Sequence, residues 1–286
     1  MMPEDEAENL LEEVGLKELP IIPMEICHRL NITYREQPLK GIDGMLLVDH
    51  RIQTALISVN ISIGEQSRKN FTCAHELGHY CMDSYSQTEF RCSREDIESY
   101  RRQTKPIEVR ANLFAAELLM PRALFKGLVH SRDPDWDHIK ELATMSQTSL
   151  LSTALRFCNL TDHSCALIVS KDRAISWFCP SGPFKLYIDM DSRTLSPHTI
   201  AAIVFDGHNP SRGFEVIKAD NWVSGPGITP DSEILEWTLS MNSYGQVYTL
   251  LFDEDGIGGA GEEEDQEDEH SIEWEPPTFH KSRRKT

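Results

Sequence analysis

The amino-acid sequence predicts an α+β protein, on three observations. Alternating apolar runs at 45–48 and 54–59 precede helical spacing at 67–82 and 106–120. Strand-like runs return between 165 and 252, and from Asp253 the composition turns to glycine and acid. At 286 residues the chain can bury a sizeable core and hold one to three domains. The expected division is a domain over 1–122 with a frayed lead-in at 1–20, a helical region over 123–160, a second α+β domain over 161–252, and a disordered acidic tail over 253–286.

The elements follow in order. The lead-in MMPEDEAENLLEEV is acidic, with a short helix at 7–14. Pro20 and Pro23 precede a short helix, PMEICHRLN, with Ile26 and Leu30 inward, and ITYREQPL follows as a strand. GMLLVDHRIQTALISVN has the form of a β-hairpin with a polar turn at Asp49, His50 and Arg51. From 67 to 82, Phe71, Ala74, Leu77, Gly78 and Cys81 recur at helical spacing. DSYSQTEFRCSREDIESYRRQTK reads as a loop with a short surface helix. Pro106 suits the first turn of a further helix, with Val109, Leu113, Ala116 and Met120 as its stripe, and Pro121 ends it.

DWDHIKELATMSQTSLLSTALRFCNL gives two helices around a turn at 146–148. SCALIVS and ISWF are strands on either side of the turn KDRA. Segments 199–205 and 213–217 read as strands, SEILEWTLSMN as a helix and QVYTLLF as a strand. Trp177, Trp222 and Trp237 are expected in the core, and His163 in a loop.

Composition limits the functions available. No apolar run approaches the ~18 residues that span a bilayer, and the acidic N-terminus lacks the pattern of a secretory signal. A cytoplasmic location is the expectation. The seven cysteines are odd in number, scattered and without a CxxC pair, which argues for reduced thiols and against a cysteine zinc knuckle. Of the formal −18, twelve acids and no base fall between Asp253 and Glu275, and four bases follow; setting these aside leaves −10 on the first 252 residues. Such a body repels DNA phosphates, which disfavours a nucleic-acid substrate.

FTCAHELGHYCMDSY carries two histidines four residues apart with a glutamate directly after the first. Four apart on a helix, His75 and His79 can aim their ring nitrogens at one point. Two neutral imidazoles suit zinc, whose catalytic sites add a third protein ligand and keep an open position. Glu76 lies beside the pair, placed to act as general base toward a water activated by the metal. Random placement of this composition gives about 0.04 such motifs per chain, so chance is a poor explanation. The structural alternative is a surface helix with two histidines and a solvated glutamate. Gly78 on the same helix counts against it, since a glycine there would admit a neighbouring backbone closely.

The third ligand must come from elsewhere. Asp83, Glu89, Glu95, Asp96, Glu98, Glu108 and Glu117 are candidates. Asp83 lies two turns along the helix from His75, and the acids at 89–98 sit in a polar segment. Glu108 opens a helix that could pack across the histidine helix and present a carboxylate rigidly, with Asn112 one turn on as outer support. Spacing alone leaves the choice open.

FTCAHELGHY followed by EVRANLFAAELLMP resembles the ImmA/IrrE family of metallopeptidases, in which HExxH and a downstream ExxAN.FAA.LLMP segment recur together. The resemblance covers roughly residues 20–160. It implies a zincin-like metallopeptidase domain with a helix-turn-helix-like extension over 123–160, and a sensor-like second α+β domain. It also implies His75, His79 and Glu108 as ligands of Zn²⁺ (Mn²⁺ or another divalent ion being the alternative) and Glu76 as catalytic base. Family members often carry a histidine where this chain has Asp83, a position outside the ligand set.

The function implied is that of an endopeptidase cleaving a regulator protein, a helix-turn-helix repressor encoded nearby, in transcriptional control and stress response. The rival reading is a repressor-binding or sensor protein that does not cleave. DNA binding by the 123–160 region is disfavoured, because Arg122 to Leu160 holds five basic and four acidic residues.

Overall fold

The structure, a computed structural model, describes residues 2–94, 96, 105–190, 194–225, 227–241 and 245–259. Most of the expected disordered tail, together with Glu95 and Glu98, lies outside the described residues. The chain divides into two compact units, Met1–Leu128 with Lys140–Thr153 and Val129–Ile139 with Ala154–Thr286. No helix among the described residues is long and apolar enough to cross a membrane.

The first unit begins with a correction. Its acidic lead-in is not frayed: α1 (Pro3–Val14) is a full helix burying Ala7, Leu10, Leu11 and Val14, one stripe at helical spacing. Gly15 closes it at φ +70°, donating to Glu12 O while Leu16 donates to Leu11 O. The acids that suggested disorder occupy the first turn, where the helix dipole favours them. Next come α2 (Pro23–Arg29), β1 (Thr33–Gln37) and the expected hairpin of β2 (Gly44–Asp49) and β3 (Thr54–Asn60).

The segment expected to be loop and surface helix contains β4 (Glu89–Cys92), paired antiparallel with β2. Its polar residues hid a strand whose register β2 imposes. The sheet order is β1-β3-β2-β4, with β1 parallel to β3. Helix α3 (Gln66–Met82) packs on β2 and β3, and α4 (Pro106–Leu119) packs on α3.

Gly78 permits that last approach: a Cβ there would meet the Phe114 ring at 3.1 Å and the Ala111 Cα at 3.3 Å. Helix α4 is found as expected, but its buried face is another one. Glu108, Ala111, Asn112, Ala115, Leu118 and Leu119 point inward, while Val109, Leu113 and Ala116 are only half-buried. Apolar residues surround this helix, so period alone could not set its phase. Helices α5 (Arg122–Val129), α6 (Trp136–Ser146) and α7 (Leu150–Leu160) follow.

The second unit holds a five-stranded antiparallel sheet, in the order β6-β5-β9-β8-β7. The strands β5 (Cys165–Lys171) and β6 (Ala174–Pro180) are joined through Asp172 and Arg173, both at positive φ, which matches the twist of a tight hairpin. Two expectations are reversed here. Segment 199–205 is a helix, α8 (Ile200–Phe205), capped by the Thr199 hydroxyl accepting from Ala202 N. SEILEWTLSMN forms β8 (Glu233–Met241), between β7 (Glu215–Lys218) and β9 (Gln246–Phe252).

One residue explains both reversals. Glu236 is fully buried on β8, and its carboxylate accepts from the Ile200 and Ala201 N–H groups, the Trp222 indole and the Thr238 hydroxyl. A local reading assigns such a glutamate to a solvated helix face. Trp177, Trp222 and Trp237 are buried, as expected.

Candidate metal centre

Helix α3 lies between sheet and helix, so every position from Asn70 to His79 except Phe71 is buried. His75, Glu76 and His79 are each 0% exposed. The two imidazoles sit edge to face, 4.7 Å between centroids, with their Nε2 atoms 3.1 Å apart.

Their outer nitrogens are spoken for. His75 Nδ1 lies 2.7 Å from Asn112 Oδ1, and the Asn112 amide nitrogen donates to Asp96 O at 3.1 Å. That second bond fixes the amide with its oxygen toward His75, so Nδ1 carries the proton and Nε2 presents a lone pair. His79 Nδ1 donates to Asp83 Oδ2 at 3.1 Å, and the other Asp83 oxygen accepts from Arg110. Both Nε2 atoms therefore face one centre.

Glu108, in the first turn of α4, brings Oε2 to 3.1 Å from His75 Nε2 and 3.4 Å from His79 Nε2. From the other side comes β4, whose inward residues alternate. Phe90 stacks on His79 at 4.5 Å, and Cys92 Sγ lies 3.1 Å from His75 Nε2 and 3.7 Å from Glu108 Oε2. Donor atoms of His75, His79, Cys92 and Glu108 all lie within 4.8 Å of one another.

Tetrahedral bonds of about 2.0–2.3 Å to nitrogen, oxygen and sulfur require donors roughly 3.3–3.6 Å apart. The donor set and its spacing thus fit a divalent ion such as zinc.

Glu76 stands beside this cluster. Both its oxygens are buried without a hydrogen-bond partner, an expensive arrangement for a group with no further role. It fits against the sheet because residue 44 is glycine: a Cβ there would overlap Glu76 Oε1 and come within 2.7 Å of Thr72 Cγ2.

Burial raises the Glu76 carboxyl to about 8, against the pull of His79 and Cys92 and with some help from Glu108. Burial also lowers His75. At His79 burial opposes the charge, but Asp83, Glu108 and Glu76 outweigh it and raise the ring to about 9. Burial works against ionised Glu108 too, yet bonds from both histidines hold its carboxyl well below the usual range. The centre therefore pairs a readily ionised carboxylate with one that can exchange a proton near neutral pH.

The structure brings His75, His79 and Glu108 together, with Glu76 beside them and Asn112 on His75. The other acids lie elsewhere: Asp83 supports His79, Glu89 is exposed, Asp96 accepts from Ser93, and Glu117 accepts the Arg122 N–H. Sequence reasoning missed Cys92, Phe90, the buttressing role of Asp83 and the space at Gly44. Only Asp83 had a local signal, its place four residues after His79.

Residues 27–157 match the model of the IrrE N-terminal-like domain, Peptidase_M78, a span that holds every residue of the cluster. "Uncharacterized immunity region protein 2" of Bacillus phage phi105 is 32% identical over 102 residues, covering 35% of this chain and 58% of that protein. A "Mycobacterium tuberculosis transcriptional regulator" of known structure shares the fold, with a TM-score of 0.50 at 14% identity over 88% of this chain and 75% of that one. Over residues 27–157, somewhat under half of its length, the chain is similar to the IrrE N-terminal-like domain.

Proposed function

We propose that this chain is a zinc-dependent endopeptidase that cleaves a regulator protein, a helix-turn-helix repressor encoded nearby, in the cytoplasm. The observation that carries the reading is the convergence of two Nε2 atoms and a Glu108 oxygen on one point, with the carboxylate of Glu76 alongside. His75, His79 and Glu108 would hold the ion, with Mn²⁺ as the alternative to Zn²⁺. Bound there, a divalent cation supplies Lewis acidity, polarising the scissile carbonyl and easing water deprotonation.

The chain's own residues supply the rest. Asn112 and Asp83 keep each imidazole in the tautomer whose Nε2 faces inward. Phe90 covers one face of His79 and keeps water from it. Glu76 accepts the proton of the attacking water at its carboxylate and returns it to the departing amide nitrogen.

A relative named for a phage immunity region supports a regulator protein as substrate. We assign the peptidase domain to 1–122 and a helix-turn-helix-like extension to 123–160. The near-neutral charge of that extension favours a protein partner over DNA. The test is incubation with the neighbouring repressor and Zn²⁺ or Mn²⁺, followed by sequencing of the fragments. Cleavage that depends on the metal and is lost together with metal in His79→Ala supports the reading. A repressor bound but left intact overturns it in favour of a non-cleaving sensor.

A further inference from the structure

We propose that Cys92 is a fourth protein ligand of this centre, making the resting site closed and the peptidase latent until the sulfur leaves. The inference rests on the metal-centre reading above and concerns its regulation.

The sulfur lies in one cluster with the other three donors. Five of the six donor–donor separations are 3.1, 3.1, 3.1, 3.4 and 3.7 Å, and the sixth, from His79 to the sulfur, lies within 4.8 Å. A tetrahedral ion with bonds of about 2.0–2.1 Å to nitrogen and 2.3 Å to sulfur needs roughly 3.6 Å between those two donor types. The His75 Nε2 to Cys92 Sγ distance of 3.1 Å requires only a small outward shift to meet it.

The sulfur is also held in place. Cys92 is 0% exposed, opposite Gly44 in the β2–β4 register, and its carbonyl accepts from Asp43 N at 2.9 Å. It is separate from the thiol pair of Cys27 and Cys73, whose sulfurs lie 3.8 Å from each other.

A simple thiol hydrogen bond accounts for less. With His75 Nδ1 protonated, its Nε2 is an acceptor, as is Glu108 Oε2, and both face the sulfur. One S–H can satisfy only one of these two acceptors, whereas one cation satisfies both, together with His79 Nε2 and the sulfur. On binding, the S–H bond breaks, a sulfur–metal bond forms, and the proton leaves to solvent.

The consequence concerns coordination number. Zinc sites with four protein ligands are closed, and catalytic ones keep a position open. Peptide hydrolysis at this centre then requires Cys92 to withdraw, and β4 is an edge strand paired on one side with β2, among the described residues.

The test uses the full chain, stripped of metal and loaded with one equivalent of Co²⁺. Wild type should show a near-ultraviolet thiolate-to-cobalt charge-transfer band. Cys92→Ser should bind one Co²⁺ without that band, and the Cys27→Ser/Cys73→Ser double variant should keep it. Acetohydroxamate, at a concentration that saturates Cys92→Ser, should leave the wild-type visible spectrum unchanged. Chelator competition should show at least the ~10-fold loss of affinity that even outer ligand supports produce.

One bound Co²⁺ in wild type with no charge-transfer band removes Cys92 from the ligand set and leaves the metal centre standing. A band that survives in Cys92→Ser, or a wild-type spectrum that answers to acetohydroxamate, overturns the closed site. No bound Co²⁺ in wild type overturns the metal centre itself. The wild-type spectrum decides even where the variants fail to fold.

Discussion

Gly44→Ala tests how the sheet positions the base. The glycine has ordinary backbone geometry, so alanine brings no conformational penalty of its own. Its effect is steric. The added Cβ would overlap Glu76 Oε1, approach Glu76 Cδ to 3.1 Å and press Thr72 Cγ2 at 2.7 Å. Thr72 is fully buried, and β2 is held between β3 and β4, so neither the helix nor the strand yields freely.

The carboxylate must then swing away by about 1 Å, a displacement that costs on the order of 100-fold in rate at a reacting centre. Overpacking adds ~1–3 kcal/mol of destabilisation, or roughly 2–10 °C in melting temperature for a unit of this size. The three atoms nearest the added Cβ belong to Glu76 and Thr72, and Cys92 faces residue 44 only through backbone pairing, so on the proposed ligand set bound zinc should stay at one per chain. Cleavage kinetics, calorimetry and metal analysis on one preparation read all three. Wild-type cleavage together with an unchanged melting temperature would refute the claim that Gly44 makes room for Glu76.

Other consequences can be measured independently. Asn112→Ala removes the acceptor for His75 Nδ1 and should weaken zinc binding by about 10–100-fold in chelator competition; unchanged affinity would dismiss its orienting role. In metal-stripped protein, Glu76 is raised from 4.5 to about 8, so the folded state binds more protons than the unfolded one between those values. Its contribution to stability is complete below about pH 4.5 and is lost as pH rises to about 8. Thermal melts in chelator should therefore show Glu76→Gln gaining on wild type across that window, and a constant difference would contradict the buried carboxyl. In the second unit, Glu236→Ala strands three buried donors, the Thr238 hydroxyl keeping Thr249 as partner, and should cost about 3 kcal/mol or more; a melting temperature within 1–2 °C of wild type, where ~1 kcal/mol shifts it by about 2–4 °C, would show that α8 is held by other means.

Much of the centre could be read from the sequence because it is local. The HExxH spacing places two rings on one face, and Glu108 with Asn112 repeats the arrangement on a second helix. What escaped is non-local. Cys92 lies 17 residues from His75 and reaches it through pairing of β4 with β2, in a segment whose composition reads as loop. The phase of α4 is set by packing against Gly78 and by the polar centre that draws in Glu108 and Asn112, which an apolar stripe cannot reveal.

The exchange of helix and strand at 199–205 and 233–241 has the same origin. Short apolar runs fit either state, and Glu236 decides between them by capping one element from inside the other. The lead-in shows the converse: the apolar spacing in PEDEAENLLEEV was present, and its acids obscured it.

The central claim is that Glu76 is the base of a metal-dependent peptidase. The most direct test compares zinc-loaded wild type with zinc-loaded Glu76→Gln on the neighbouring repressor, reading new N-termini by sequencing and zinc by atomic absorption. The account predicts equal zinc in both proteins, a defined cut by wild type and none by the variant. Equal cleavage by the two proteins at equal zinc would contradict it.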